Sequence, residues 1–163
     1  MSMRKLAKIL TIAALSLLVL LAILSMGVLL RVDSVRFVPQ SARANPALTQ
    51  ELIGAARRDD MLSNRFRIPT RDGLDSYQLI SIKIDVRNVG LWPAEWVQLR
   101  LSPDPMDIAL FPGGEVDVFG FGTAQQIDAM LLCEAEAPAS PRPMWLDYYV
   151  FGRKFEIPIS VNP

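Results

Sequence analysis

Cys133 is the single cysteine of this 163-residue chain, and histidine is absent altogether. Without an imidazole the chain lacks the commonest general base, the Ser-His and Cys-His nucleophile pairs, and most zinc sites. Cys133 stands in an apolar stretch beside Leu131 and Leu132, where burial raises a thiol pKa and leaves it inert. A structural cysteine is therefore expected. Carboxylates are the remaining candidates for chemistry. Asp104-Pro105-Met106-Asp107 carries two on one loop, with Asp117 a third candidate to approach them after folding. The loop lacks the Asp/Asn/Gly density of a calcium site, so a solvated turn is expected and no metal. Asp128, Glu134 and Glu136 offer a pair for glycoside hydrolysis, a chemistry that depends on a fixed carboxylate separation. Spacing along a chain does not supply that separation, and no enzyme is expected. Gly120-Phe121-Gly122-Thr123 opens like a phosphate-cradling loop. The third glycine, the following helix and the lysine are missing, so it reads as a β turn or bulge, with no cofactor.

The aromatics carry more weight. Trp92, Trp96, Trp145 and Tyr149 form the candidate binding surface. Trp96 falls on the polar face of its strand if Val97 and Leu99 point inward. Trp92 sits in the preceding loop. Trp145, Asp147 and Tyr149 share one face of a later strand, with Met144, Leu146 and Tyr148 on the other. Two roles compete. Large aromatics fill cores and pack under insertions, and exposed aromatic clusters meet a partner protein or a sugar ring.

Two kinds of element must position these residues. The first is a run of 22 residues, Ile9 to Leu30, with no charge, no proline and one glycine. As a helix it spans about 33 Å, enough for a ~30 Å hydrocarbon core. Arg4, Lys5 and Lys8 stand immediately before it, which places residues 1–8 in the cytoplasm and the rest outside. The rival reading is a cleaved signal. The run exceeds a signal core of ~7–15 residues. Ser25-Met26-Gly27 has cleavage spacing but lies inside the run, and Ala42-Arg43-Ala44 lies far downstream. Val28 follows Gly27, so no lipid-accepting cysteine is present there. The small residues of the run form no Gly-x-x-x-Gly pair, and a plain lipid-facing anchor is expected.

Residues 31–163 are the second part, long enough for one domain with its own core. They hold all 17 acidic residues against 14 basic ones. A weakly acidic domain without a basic stripe argues against nucleic acid. A lone cysteine excludes an internal disulfide, and no Asn-x-Ser/Thr sequon occurs. These features point to a bacterial envelope protein held together by packing.

Val32, Val35 and Phe37 suit a short strand over Arg31–Pro39. Asn45 is a good N-cap and Pro46 a good first helical residue. Leu48, Leu52, Ile53 and Ala56 then share a face, so a helical insertion is expected over about 45–60, from Pro46 to about Arg58. The wider stretch 41–73 reads as an insertion or connector with room for mobility, and Arg57 to Asp60 as a solvated helix end. Ile80, Ile82, Ile84 and Val86 alternate with Ser81, Lys83, Asp85 and Arg87, the pattern of a half-buried antiparallel strand. Asn88-Val89-Gly90 is a turn. Val97, Leu99 and Leu101 mark the next strand, Ile108–Phe111 a short one ended by Pro112-Gly113-Gly114, and Val116–Phe121 another. Ile127–Cys133 is apolar on both faces and therefore central. Met144–Val150 and Lys154–Val161 form a hairpin, with Phe155, Ile157, Ile159 and Val161 inward. Pro158 points outward and cannot donate to a ladder, so the last strand is expected on an edge or with a bulge there.

About seven short strands without alternating helices read as an all-β, immunoglobulin-like antiparallel sandwich. Ile82-Lys83-Ile84-Asp85-Val86-Arg87-Asn88-Val89-Gly90, then Ala94 to Leu101, then Leu110-Phe111-Pro112-Gly113-Gly114 resemble bacterial cell-adhesion-related (CARDB-like) immunoglobulin-fold domains. The likeness covers roughly residues 77–120 and rests mainly on turn chemistry. It implies binding or spacer roles at the cell surface. The expectation is a membrane-anchored, non-catalytic module that binds the bilayer through residues 9–30 and a protein partner at the cell envelope. The alternatives are a carbohydrate-binding module using its exposed aromatics and, less favoured, an enzyme working with carboxylates alone.

Overall fold

The computed structural model describes residues 3–26, 30–58, 64–113, 116–139 and 142–159. It is mostly β, with two antiparallel sheets and an apolar N-terminal helix. That helix, α1 (Met3–Met26), contains an 18-residue stretch, Lys5–Ala22, long and apolar enough to cross a membrane and wholly unburied by the rest of the chain. Its 24 residues measure about 36 Å at helical rise.

The expected span of Ile9–Leu30 is corrected at its end. Leu30 is 3% exposed and begins strand β1 (Leu30–Ser41), paired with Asn88. Hydropathy along a chain does not separate the last lipid-facing residue from the first core residue. Strand β1 is also longer than the expected Arg31–Pro39. Its alternation breaks because the pairing shifts between Val32 and Ser34, a bulge that adds one unpaired residue.

After β1 come α2 (Pro46–Arg58) and the two-residue β2 (Asn64–Arg65). Then follow β3 (Tyr77–Asn88), β4 (Ala94–Leu101) and β5 (Asp107–Gly113). The last four are β6 (Val116–Phe119), β7 (Ala124–Glu134), β8 (Met144–Val150) and β9 (Arg153–Ile159). One sheet runs β1-β3-β7-β5-β2 and the other β6-β4-β8-β9. Pro112 and Gly113 extend β5 instead of turning. A Cβ on Gly113 would lie 2.7 Å from the Asp128 carbonyl oxygen, so the close approach of β5 to β7 requires glycine here. Gly114, Asp59, Asp60 and Val161 lie outside the described residues.

The principal core lies between the sheets. Ile80, Ile82, Ile84, Val86, Ile127, Leu131 and Cys133 from the first meet Val97, Leu99, Met144, Leu146, Tyr148 and Val150 from the second. Period-two alternation alone delivers these residues to one face. Leu30 joins this core together with Tyr148, tying the start of β1 to the other sheet.

A second core explains why β7 is apolar on both faces. Leu132 packs with Tyr77, Leu79, Ile108, Ala109 and Phe111, and α2 covers them with Leu48, Leu52, Ile53 and Ala56. Within the stretch 41–73, α2 is thus no loose connector: it supplies a third layer. Asn45 Oδ1 caps α2 by accepting from the Leu48 N–H at 3.3 Å. The buried Thr49 hydroxyl contacts two carbonyl oxygens, those of Ala42 at 3.0 Å and Asn45 at 2.9 Å. The expected helix bounds of Pro46 and Arg58 are the observed ones.

The sheet edges are β1 and β2 in one sheet, β6 and β9 in the other. Pro39 interrupts β1 and Pro158 interrupts β9, where neither residue can donate to a ladder.

Candidate functional site

The outward face of the four-stranded sheet gathers most of the aromatic candidates. Alternation along β8 sends Met144, Leu146 and Tyr148 into the core and Trp145, Asp147 and Tyr149 outward. Pairing then sets three rows across the sheet. Glu95, Tyr149 and Lys154 form one. Gln98, Asp147 and Glu156 form the next. Arg100, Trp145 and Pro158 form the third.

Trp96 joins this face through a bulge. The β4–β8 pairing shifts between Glu95 and Gln98, and Trp96 has φ of 53°. Ala94 and Val97 on either side are buried, so both intervening residues, Glu95 and Trp96, turn outward. Trp96 is 63% exposed. A left-handed backbone at a bulky L-residue costs about 1–2 kcal/mol.

Trp92 departs from the expected surface. It is half-buried against the core, its ring edge-on to Phe151 at 5.2 Å between centroids. Trp96, Trp145 and Tyr149 are brought to one face, and Trp92 belongs to the end of the domain instead.

Charge binds the face together. The Arg100 guanidinium lies 4.8 Å from the Trp145 ring centroid, a cation–π arrangement. Its Nε donates to Asp147 Oδ2 at 3.3 Å, and another nitrogen donates to Glu156. Lys154 reaches the same Asp147 oxygen at 2.8 Å. Burial pushes the Asp147 carboxyl up, but hydrogen bonds from Lys154 and Arg100, with both positive charges, outweigh it and leave the pKa lowered. The linkage follows: this stabilisation is present above the ordinary carboxylate pKa and is lost as pH falls through the depressed folded value. Acidification should therefore release Arg100 from Asp147 and change Trp145 emission, with the midpoint below the usual Asp range. An Asp147→Asn variant, already uncharged, should show no such acid step.

Asp104 and Asp107 share a turn, whereas Asp128 and Glu134 lie on β7. Asp107 is buried, not solvated as expected. Asp107 Oδ2 accepts from Arg142 and from the Asp104 N–H at 2.7 Å, while Asp104 Oδ1 accepts from the Met106 N–H at 3.0 Å. The loop is a turn locked from inside. Asp117 lies on β6, where no side chain is described. Asp128 and Glu134 sit on one strand, β7, about 20 Å apart at ~3.3 Å per residue, well beyond the reach of a two-carboxylate glycosidase pair. Glu134 is engaged by Arg67 and, at 3.2 Å, by Arg71. Among the described residues no group of three potential ligands is placed to hold a metal ion.

Cys133 is fully buried, and its Sγ lies 3.6 Å from the Gln78 carbonyl oxygen. Burial, followed by the negative charge of Asp107, pushes the thiol up to about 12. Below the ordinary value the folded and unfolded chains hold this proton equally. Above it only the unfolded chain releases it, so stability should fall as pH rises toward about 12. Alkylation by iodoacetamide should accordingly be confined to the unfolded chain at pH 8. Labelling as fast as that of a free thiol would contradict this.

Gly120-Phe121-Gly122-Thr123 is a turn. The Thr123 hydroxyl donates to the Gly120 carbonyl at 2.7 Å, and Gly122 takes φ of 72°. A separate surface cleft of about 250 Å³ lies between α2 and residues 71–77, lined by Gln50, Ile53, Arg57, Arg71, Asp72 and Tyr77. Arg57 already faces Asp72 at 3.7 Å and Arg71 faces Glu134. These pairs make the cleft a seam between packed segments.

The chain matches no protein-family model and no curated protein.

Proposed function

We propose that this protein is a single-pass membrane protein with a cytoplasmic N-terminus and an extracytoplasmic, immunoglobulin-like domain that binds a protein partner at the cell envelope without catalysis. Strand order supports the sandwich type. Lettering β1, β3, β4, β5, β7, β8 and β9 as A to G, the sheets read A-B-E-D and C-F-G, the immunoglobulin constant arrangement. Strands β2 and β6 extend its D and C edges. The CARDB-like resemblance over residues 77–120 implies the same sandwich type and a binding or spacer role. The three cations before α1 support the orientation.

One observation carries the binding role. Trp96 is held out of the core in a left-handed bulge next to the Glu95–Tyr149 pair, on the face that also carries Trp145. Folding gains nothing from exposing a tryptophan in a disfavoured conformation, and strain of this kind collects at functional positions. A partner that covers the ring recovers its large apolar area.

The test is site-specific photocrosslinking of the full chain in intact cells, from positions 96, 145 and 149, with position 102 as control. A discrete protein adduct from the first three and not from the control is expected. Trp96→Gly should abolish the adduct while leaving stability unchanged or raised by up to ~1 kcal/mol, since glycine tolerates the backbone. Absence of an adduct from all three positions overturns the reading. Quenching of tryptophan emission by cell-wall glycans in place of an adduct would assign the face to carbohydrate.

A further inference from the structure

We infer that the end of the β domain nearest α1 seats on the bilayer surface through Val89, Leu91, Phe121 and Phe151. The inference rests on the reading of α1 as a membrane span.

Connectivity fixes which end this is. Leu30 begins β1 four residues after Met26, the last described residue of α1. An extended chain covers at most ~14 Å in that distance. Whatever surrounds Leu30 therefore lies close to the end of α1.

Three loops surround it. Leu30 pairs with Asn88, where the loop 89–93 begins. The Asn88 N–H donates to the Thr123 carbonyl at 2.9 Å, and the Gly122 N–H donates back to Asn88 at 2.9 Å, which holds the 120–123 turn alongside. Asn88 Nδ2 donates to the Trp92 carbonyl at 2.8 Å. The Trp92 ring packs on Phe151, the tip of the β8–β9 turn. Leu30, Val89, Leu91, Phe121 and Phe151 thus belong to one end of the domain.

The composition of these tips is opposite to that of ordinary turns. Turn tips favour Gly, Pro, Asn, Asp and Ser, each for a conformational reason. Here Leu91 is 55% exposed, Phe121 64% and Phe151 69%. Phe151 takes φ of 49°, a strained position at which glycine or asparagine would serve the turn better. At the opposite end the 102–106 turn exposes Ser102, Pro103 and Pro105 instead. Phenylalanine and leucine on a surface within one chain-length of a membrane span belong at the headgroup–acyl boundary, where apolar side chains insert by roughly 5–10 Å.

Charge agrees. Arg31 and Arg87 stand opposite each other beside this end and share one carboxylate, Asp33, at 3.3 Å and 3.1 Å. Arg153 follows the Phe151-Gly152 tip, its guanidinium 5.5 Å from the Phe155 ring centroid. Glu95 stands at the start of β4, with Asp117 on the neighbouring strand β6. The three arginines suit anionic headgroups.

The test uses the full chain reconstituted in vesicles of phosphatidylethanolamine and phosphatidylglycerol. Phe121→Cys, Phe151→Cys and, as control, Ser102→Cys each receive an environment-sensitive dye, the buried Cys133 staying unlabelled. Dyes at 121 and 151 should emit to the blue and be quenched several-fold more by a nitroxide carried on the lipid than the dye at 102. If the chain floats with the vesicles but aqueous iodide quenches all three dyes alike, the seating is overturned and the membrane span stands. If the chain does not float with the vesicles, the span fails and the seating falls with it.

Discussion

Arg142→Met should cost the folded domain about 3–5 kcal/mol, the penalty for leaving one member of a buried ion pair alone. The Asp107 side chain has no solvent exposure and that of Arg142 is 8% exposed. Arg142 also donates to the Pro138 carbonyl at 3.1 Å, so it fastens the loop before β8 to the start of β5. Its removal strands a carboxylate with only the Asp104 N–H for company. Asp107→Asn in the Arg142→Met background should recover much of the loss, because the uncompensated charge is then gone. Urea titration of tryptophan emission, with the full chain in mild detergent, reads both. A loss below ~1 kcal/mol would mean that the pair behaves as a solvated surface bridge.

The second large effect belongs to Leu146. It is completely buried, opposite Leu99 on one side and Ile157 on the other. It lies at the centre of the core shared by the two sheets. Leu146→Ala should destabilise by roughly 2–5 kcal/mol, from lost transfer energy and the cavity left behind. The midpoint should fall with the denaturant slope unchanged, since the surface exposed on unfolding is nearly the same. Leu52→Ala, half-buried on α2, should cost less. Equal losses would show that the helix layer and the two-sheet core unfold as one unit.

The pattern Ile80, Ile82, Ile84, Val86 was sufficient to read β3 and its buried face. Asn45-Pro46 was sufficient to place the start of α2. The third layer was less legible, although a signal existed. Tyr77 and Leu79 make the wet face of β3 apolar at one end, and Leu132 does the same for β7. Apolar residues on the far side of a sheet require a cover, and the 46–58 helix was the available one. The site divides in the same way. Alternation predicted that Trp145 and Tyr149 share a face, because that depends only on period two. The Trp96 bulge depends on pairing with Tyr149 and Asp147 in another strand, and the Trp92–Phe151 contact joins two loops. The burial of Asp107 required Arg142, 35 residues away. Local composition around Asp104-Pro105-Met106-Asp107 holds no trace of it.

Proteins confined to a plane meet one another far more often than proteins free in solution, and unsatisfied strand borders are where such encounters become fibres. Pro39 and Pro158 each remove a donor from an outermost strand, and β2 offers only two residues to a newcomer. Lateral zippering is therefore opposed on three of the four borders. Contact between copies is thereby left mainly to the broad faces of the two sheets.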